Sequence, residues 1–330
     1  MGIGAVIVNY RTTEATLAAV NALVPEMLAL GDEPSIVVVD NDSKDGSLER
    51  LQEARARAPW ASLVTVMNSA HNGGYGYGIN VGVRDLLSRP GRLRYVYVIN
   101  PDAAPDPNSV KRLVTFMDEH PDTGLAGSLV HGTNGETQAV AFRFPSLLGE
   151  LEGAARIGLL SRVLDNHKGS LAPADSCDVD WVSGTSMLIR PEVFSTAGLF
   201  DEGFFLYFEE IDFAKRVRQA GWKVSFVTDA GITHIGSLST GMADETRPMP
   251  RYWFESRRRY LVKHHGSLYG AAADAVWLLG HALYATKTKL LGRPYNFRPG
   301  FWQDFARYSL ANVAKPAPIA EQNRSVVGSP

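Results

Sequence analysis

Tyr95-Val96-Tyr97-Val98-Ile99-Asn100-Pro101-Asp102 is a run of β-branched and aromatic residues that stops at an amide, a proline and a carboxylate. A short run that is apolar at consecutive positions fits a strand covered on both faces. Three earlier runs share this character, at 5–9, 36–40 and 63–67, and each ends in a polar or glycine-rich turn. Helical patterns at 13–30 and 47–58 lie between them. Buried strands alternating with helices predict a parallel α/β sheet. Ligands of such sheets sit beyond the carboxyl ends of the strands. The residues closing the four runs, Asn9, Asp40, Asn68 and Asn100 with Asp102, are therefore expected along one rim.

The middle of the chain is more mixed. Strands are expected at 125–129, 139–144 and 186–189, with a glycine-containing, mobile connection between Pro145 and Pro173. A helix follows at 208–220, closed by Gly221, a common helix-ending residue, and then a strand at 223–227. From Arg251 the chain turns helical, first basic and then apolar over 271–291; the tail after Lys315 is small and polar and is expected to be disordered.

Composition narrows the function. The 330 residues are 45% hydrophobic and 21% charged, ordinary for a globular protein, and suffice for a sizeable core. A formal net charge of -2 gives a nucleic-acid partner no electrostatic support. The single cysteine, Cys177, excludes an internal disulfide framework and suits a reducing cytoplasm. Residues 1–10 lack the basic leader and cleavage site of a signal peptide and read as a first strand. No segment stays apolar for the about 18 residues that a membrane span needs.

Five constellations carry the chemistry. In Val39-Asp40-Asn41-Asp42-Ser43 a strand empties into an acidic turn. Ser43 or Asp45 suits a helix cap, whereas Asp40 at the strand tip suits a base N–H or a ribose hydroxyl. Asn72-Gly73-Gly74-Tyr75-Gly76-Tyr77-Gly78-Ile79-Asn80 allows close backbone approach to phosphate, or is a structural turn. Its spacing misses the dinucleotide fingerprint, and Asn9-Tyr10-Arg11 has no glycine, which disfavours a nicotinamide cofactor. Asn100-Pro101-Asp102 places a carboxylate where Mg²⁺ or Mn²⁺ could bridge phosphate oxygens, or forms an Asx turn. Glu209, Glu210 and Asp212 crowd the start of a helix among aromatics, beyond what helix-dipole compensation requires. Repulsion and partial burial should raise at least one of these acids to suit proton abstraction. His234, just past the late strand, is either a structural histidine or a second metal contact.

Taken in order, these motifs resemble glycosyltransferase family 2, the inverting GT-A enzymes, and within it a bacterial rhamnosyltransferase-like branch. The resemblance runs from Val6-Ile7-Val8-Asn9-Tyr10 to His234-Ile235-Gly236-Ser237. It implies a GT-A type, Rossmann-like nucleotide-binding sheet with a mixed acceptor half and a C-terminal helical extension. The implied division is 1–250 for the transferase domain, split at 102 into donor and acceptor halves, then helices over 251–315 and a disordered tail over 316–330. The implied donor contacts are Asn9, Tyr10, Arg11, Asp40, Asn41, Asn72, Gly73, Gly74, Tyr75, Asn80, Asn100 and Asp102. Trp181, Ser183 and Gly184, in the segment before the catalytic helix, would meet the acceptor. Asp102 and His234 would hold Mg²⁺ or Mn²⁺, and Glu210 would be the base, with Glu209 and Asp212 beside it. Two departures stand out: Asn100 replaces the first acid of the metal motif, and Glu210 replaces the usual aspartate.

The function implied is transfer of a hexose, foremost L-rhamnose from dTDP-L-rhamnose, with UDP-linked donors as alternatives. The acceptor is a saccharide or lipid-linked hydroxyl in envelope polysaccharide synthesis, on the cytoplasmic side. A sugar nucleotidyltransferase and a non-catalytic nucleotide- or sugar-binding module are the rivals. Arg251, Arg257, Arg258, Arg259 and Lys263 form a basic run. It reads as a solvated face packed through its apolar side, or as a contact for diphosphate or anionic lipid. The amphipathic stretch 271–291 could lie on a membrane surface or build a homodimer contact.

Overall fold

The computed structural model describes residues 2–31, 34–236, 244 and 246–312. Ser237 and the tail expected over 316–330 lie outside the described residues.

The first third folds as the alternation dictates: β1 (Gly2–Asn9), α1 (Thr13–Leu28), β2 (Ser35–Asp40), α2 (Ser47–Arg57), β3 (Val64–Asn68), α3 (Tyr75–Ser88) and β4 (Leu93–Ile99). The four strands are parallel, in spatial order β3-β2-β1-β4. Asn9 pairs with Asp40, and Asp40 with Asn68, so three of the expected polar tips stand in register on one rim. The glycine-rich segment is mostly helix. Only residues 72–74 form the loop, and the later glycines let α3 lie close to the sheet. A Cβ at Gly78 would come within 2.6 Å of Val8, and one at Gly82 within 2.6 Å of Val6.

The chain continues through β5 (Ala103–Pro105), α4 (Ser109–Glu119), β6 (Thr123–His131) and β7 (Ala141–Phe142). Residues 145–173, expected as a mobile connection, instead carry α5 (Leu147–Ala155), α6 (Gly158–Val163), a 3-10 turn and β8 (Ser170–Leu171). Ser146 caps α5 by accepting from the Gly149 amide at 3.2 Å. Then come β9 (Cys177–Asp178), β10 (Trp181–Val182), β11 (Ser186–Ile189), α7 (Pro191–Thr196), α8 (Glu209–Gln219) and β12 (Lys223–His234).

Strand β11 runs antiparallel between β4 and β6, and β12 is parallel to β6, so the sheet continues as β4-β11-β6-β12-β5 and becomes mixed. The late strand is more than twice the expected length because a register shift between Val227 and Gly231 lets it resume after a bulge. That extension carries His234 to Ala103, next to the end of the Asp102 turn. A small separate sheet joins β10, β7 and β8.

Three helices complete the described residues, all within the helical region expected over 251–315: α9 (Arg251–His265), α10 (Ser267–Leu290) and α11 (Phe301–Asn312). Phe254, Trp277, Phe301 and Phe305 bury one another between them. Helix α5 lies tightly on α10, since a Cβ at Gly280 would reach 2.9 Å from Ala154. No described helix is long and apolar enough to cross a membrane.

The basic run of α9 turns inward, which corrects its reading as a lipid or diphosphate contact. Arg257 pairs with Glu150 at 2.9 Å and Asp274 at 2.5 Å, Arg258 with Asp274 at 3.3 Å, and Arg259 with Asp201 at 3.0 Å. Lys263 bridges Asp201 at 2.7 Å and Asp212 at 2.6 Å. Arg251 alone of the five is strongly exposed, and it pairs with Glu255 along its own helix.

Candidate active site

The strand tips are tied together before any ligand enters. The Asn9 amide donates to Asp40 Oδ1 at 2.7 Å, the Ser43 hydroxyl to the same oxygen at 2.6 Å, and the Ser43 amide to Asp40 Oδ2 at 3.1 Å. Asn9 and Asp40 are buried. Their polar atoms therefore brace the β1 and β2 tips. Tyr10 and Arg11, with the Arg11 guanidinium 5.0 Å from the Tyr10 ring, remain at the surface of this rim.

Asn41 links that turn to the glycine loop, donating to Asn72 Oδ1 and to the Gly74 carbonyl, both at 3.0 Å. Asn72 Oδ1 in turn accepts from the Gly74 amide at 3.1 Å. Gly74 has φ +92°, and a Cβ there would fall 1.9 Å from the Phe205 carbonyl oxygen, so no other residue fits. A Cβ at Gly73 would strike the Tyr77 ring at 2.5 Å. Asn80 is turned away from the rim, where its amide clamps α3 to the Phe200 backbone and to Glu202.

Tyr75 connects the loop to the remaining groups. Its amide donates to the Phe205 carbonyl, and its hydroxyl donates to Asn100 Oδ1 at 2.6 Å, with the Gly184 carbonyl at 3.4 Å. Burial, and then the negative charges of Glu209, Asp102 and Glu210, push its ionisation well above the ordinary value. Glu210 also lies beside Gly184, whose Cβ position is 3.6 Å from the Glu210 Cβ. The charges of the strand-tip aspartate and of both helix-start glutamates thus reach one phenol.

The two glutamates open α8 on a strained turn. Tyr207 and Phe208 both have positive φ, 67° and 69°, which costs bulky residues on the order of 1–3 kcal/mol each. Aromatic contacts from α9 hold it: Phe208 packs 6.0 Å from Trp253 and 5.9 Å from Tyr260. Burial, then the charge of Glu210, raises the Glu209 carboxyl well above its usual range. Burial pushes Glu210 up to about 7, against partial relief from nearby amides. The Glu210 side chain is only partly covered, but its Oε2 is shut off from solvent and lacks a hydrogen-bond partner among the described residues.

Asp212 behaves in the opposite way. Burial alone would raise its pKa, but the hydrogen bond to His264 at 2.8 Å, Arg216 at 2.9 Å and Lys263 at 2.6 Å override it and hold the carboxyl well below its usual range. A carboxylate so engaged is a poor proton acceptor, so Asp212 leaves the set of candidate bases and becomes the anchor between α8 and α9. That Lys263, named above in the basic run, and His264 would meet Asp212 was not legible in the sequence, because helical periodicity does not reveal which element a charged face meets.

Asp102 and His234 meet as expected: His234 Nε2 lies 3.1 Å from Asp102 Oδ1 and 3.4 Å from the Asn100 amide nitrogen. Their neighbourhood is fixed by the Ile235 amide, which donates to the Asp102 carbonyl at 3.0 Å. Among the described residues no three histidine, cysteine, aspartate or glutamate side chains gather as a metal cage. An oxygen and a nitrogen donor side by side, with the other ring nitrogen of His234 buried and unpartnered among the described residues, still fit an ion. Mg²⁺-type ions take one or two protein ligands and complete their shell with phosphate oxygens and water.

From Glu210 a cavity of about 1160 Å³ opens towards the C-terminal helices, walled by Trp181, Phe144, Tyr207, Trp253, Trp277 and Phe301 among others. Trp181 stacks on Phe142 at 4.0 Å and donates its indole N–H to the Arg143 carbonyl. The Ser183 hydroxyl is bonded to Thr185 at 2.7 Å. A second hollow, of about 390 Å³ over α4, includes none of the candidate site residues.

Comparison with known proteins agrees with this architecture. Residues 5–163 match Glycosyl transferase family 2. The chain is 28% identical over 249 residues to the N-acetylglucosaminyl-diphospho-decaprenol L-rhamnosyltransferase of Mycobacterium tuberculosis, covering 73% of this chain and 75% of that protein. It is 28% identical over 275 residues to the low-salt glycan biosynthesis hexosyltransferase Agl10 of Haloferax volcanii, covering 82% and 78%. The mannosyltransferase PcManGT from Pyrobaculum calidifontis, solved with GDP-Man and Mn²⁺, shares the fold at TM-score 0.55 and 14% identity, over 94% of this chain and 87% of that one. The expected GT-A sheet and the added helices are both present.

Proposed function

We propose that this chain, a glycosyltransferase of family 2, transfers a hexose with inversion from a nucleoside-diphosphate donor to a hydroxyl presented in the cavity beside Glu210. The observation that carries this is the setting of Glu210. It is a carboxyl raised to about 7, on the wall of that cavity, and next to the phenol that also feels Asp102. A base poised near neutrality combines a useful ionised fraction with real proton affinity. Glu209 is more deeply buried and lies against Gly76 of α3, which favours Glu210 as the group that meets substrate.

In this reading the donor lies along the rim from Arg11 and the 72–74 loop to Asp102 and His234. Mg²⁺ or Mn²⁺ held by Asp102 and His234 would neutralise the diphosphate as it departs. Tyr75 and Asn100 orient that side, and the Glu210 carboxylate takes the acceptor proton as the hydroxyl oxygen attacks the anomeric carbon and the nucleoside diphosphate leaves. Trp181 and Gly184 border the acceptor. Direct displacement needs no enzyme nucleophile and inverts the configuration.

L-Rhamnose from a dTDP-linked donor is the preferred sugar, and a lipid-linked saccharide the preferred acceptor. Both are supported by the resemblance of the motifs and by the printed activity of the mycobacterial relative. The division at residue 250 is retained as a functional one, although α9 reaches back to anchor α8 through Asp212. Placement on the cytoplasmic side belongs to the same proposal.

The experiment is a thermal-shift panel of nucleotide sugars with Mg²⁺ or Mn²⁺, followed by transfer assays on the best binders. Stabilisation by one donor and metal-dependent release of its nucleoside diphosphate support the proposal. Binding without turnover towards any saccharide or lipid-linked hydroxyl would favour a non-catalytic module.

A further inference from the structure

Residues 201–208 lead into α8 without forming a helix or a strand, and within them Tyr207 and Phe208 hold positive φ. A strained segment keeps one conformation only when its neighbours over-determine it. One face of α9 supplies those neighbours, because Tyr252, Ser256, Arg259 and Lys263 recur at intervals of three and four residues. Tyr252 lies 5.6 Å from the Phe205 ring and 6.2 Å from the Tyr207 ring. The buried Ser256 donates its hydroxyl to the Leu206 carbonyl at 3.0 Å. Arg259 donates Nη2 to both Asp201 oxygens at 3.0 Å, and a Cβ on Gly203 would strike its guanidinium at 2.2 Å. Lys263 Nζ reaches Asp201 Oδ2 at 2.7 Å and Asp212 Oδ1 at 2.6 Å. One ammonium therefore ties the residue that opens the segment to the residue two positions beyond Glu210.

The same segment also seats the donor loop. The Phe205 carbonyl accepts from the Tyr75 amide at 3.0 Å and leaves no room for a side chain at Gly74. That loop has separate ties to Asn41, through Asn72 and the Gly74 carbonyl. Neither Ser256 nor Lys263 lines the cavity, so each bears on the reaction through the segment it holds.

We propose that Ser256 and Lys263 are positioning residues, which lock the 201–208 segment in the conformation that presents Glu210 to the cavity. This rests on the reading of Glu210 as the base. It goes beyond that reading by placing control of the base on α9, outside the residues 5–163 that match the family.

The test compares the full chain with its Ser256→Ala/Lys263→Met variant. Arg259 still meets Asp201 and His264 still meets Asp212 in that variant, so α9 stays docked. Its kcat for nucleoside-diphosphate release should fall at least about tenfold, because a misplaced catalytic group costs rate rather than binding. The Kd for dTDP or UDP should stay within about threefold, since the Asn41 ties remain. Hydrogen exchange should quicken at least about tenfold at the Gly203, Phe204 and Tyr75 amides, whose acceptors lie in the segment, and stay parental across β1 and β2. Ser256→Ala/Lys263→Arg, which keeps a cation between the two carboxylates, should regain at least about threefold in kcat. A parental kcat, an equal loss of nucleotide affinity, or exchange that quickens as much in β1 and β2 would overturn the proposal. Glu210→Gln separates the two readings. If it abolishes release while the α9 variant turns over like the parent, the positioning inference fails and the base assignment stands. If it keeps the parental kcat, the base assignment fails, and the inference built on it falls too.

Discussion

Replacing Glu210 by glutamine keeps the shape of the side chain and removes its charge, so structure converts directly into two numbers. General-base catalysis contributes about 10²- to 10⁴-fold, and kcat should fall by that factor while nucleotide affinity stays within about threefold. The second number concerns stability. Burial lifts the carboxyl from 4.5 to about 7, and each pH unit corresponds to about 1.4 kcal/mol. The folded state therefore holds an extra proton between those values, and this group's contribution to stability is fully present below about 4.5 and is lost as pH rises through about 7. The charged side chain thus costs the fold on the order of 3 kcal/mol at pH 8, an upper bound because Glu209 titrates with it. The variant should be more stable than the parent at pH 8 and no more stable at pH 4. Urea unfolding at both pH values measures this, and nucleoside-diphosphate release against pH measures the rate. The parent rate should climb through about pH 7 to a plateau, a rise absent from the variant's residual activity. A variant within threefold of parental kcat, with the same pH profile, would refute the reasoning.

Asp102→Ala should weaken donor binding and raise the metal concentration needed for half-maximal rate at least tenfold, which a Mn²⁺ titration of activity would show; an unchanged titration moves the ion elsewhere. Asp212→Asn should destabilise the fold by about 3–5 kcal/mol in denaturant unfolding, because Arg216, Lys263 and His264 would lose their buried counter-charge. Gly74→Ala should reduce stability by more than about 2 kcal/mol and displace the turn at Phe205, since neither its φ nor the 1.9 Å approach tolerates a Cβ. Tyr75→Phe should leave folding intact and lower kcat without abolishing it, by releasing Asn100 from its 2.6 Å hydrogen bond.

The parallel half was legible because each strand was a continuous apolar run closed by a polar tip, and register then placed Asn9, Asp40 and Asn68 side by side. The internal bonding of those tips was less legible. A carboxylate after a strand looks alike in sequence whether it faces a ribose or, as Asp40 does, takes three internal hydrogen bonds. Ser43, three residues on, was the available signal of a self-contained turn. The glycines after Asn72 looked like a loop because glycine permits both a loop and close helix-on-sheet packing, and only Val6 and Val8 across the interface distinguish them. The one local mark of Asp212 was Arg216, four residues on in the same helix, a spacing that Glu209 and Glu210 lack. Its other cations arrive from a helix some fifty residues later, and charge pairing over such separations leaves no periodic trace.

The central claim is that the strand tips and the start of α8 serve one reaction centre. A crystal structure with Mn²⁺ and dTDP or UDP tests it most directly. The account predicts an anomalous manganese peak roughly 2.0–2.3 Å from Asp102 and His234, with the terminal phosphate on the side of Tyr75 that faces Glu210. Nucleotide bound elsewhere, or manganese with no contact to Asp102, would contradict it.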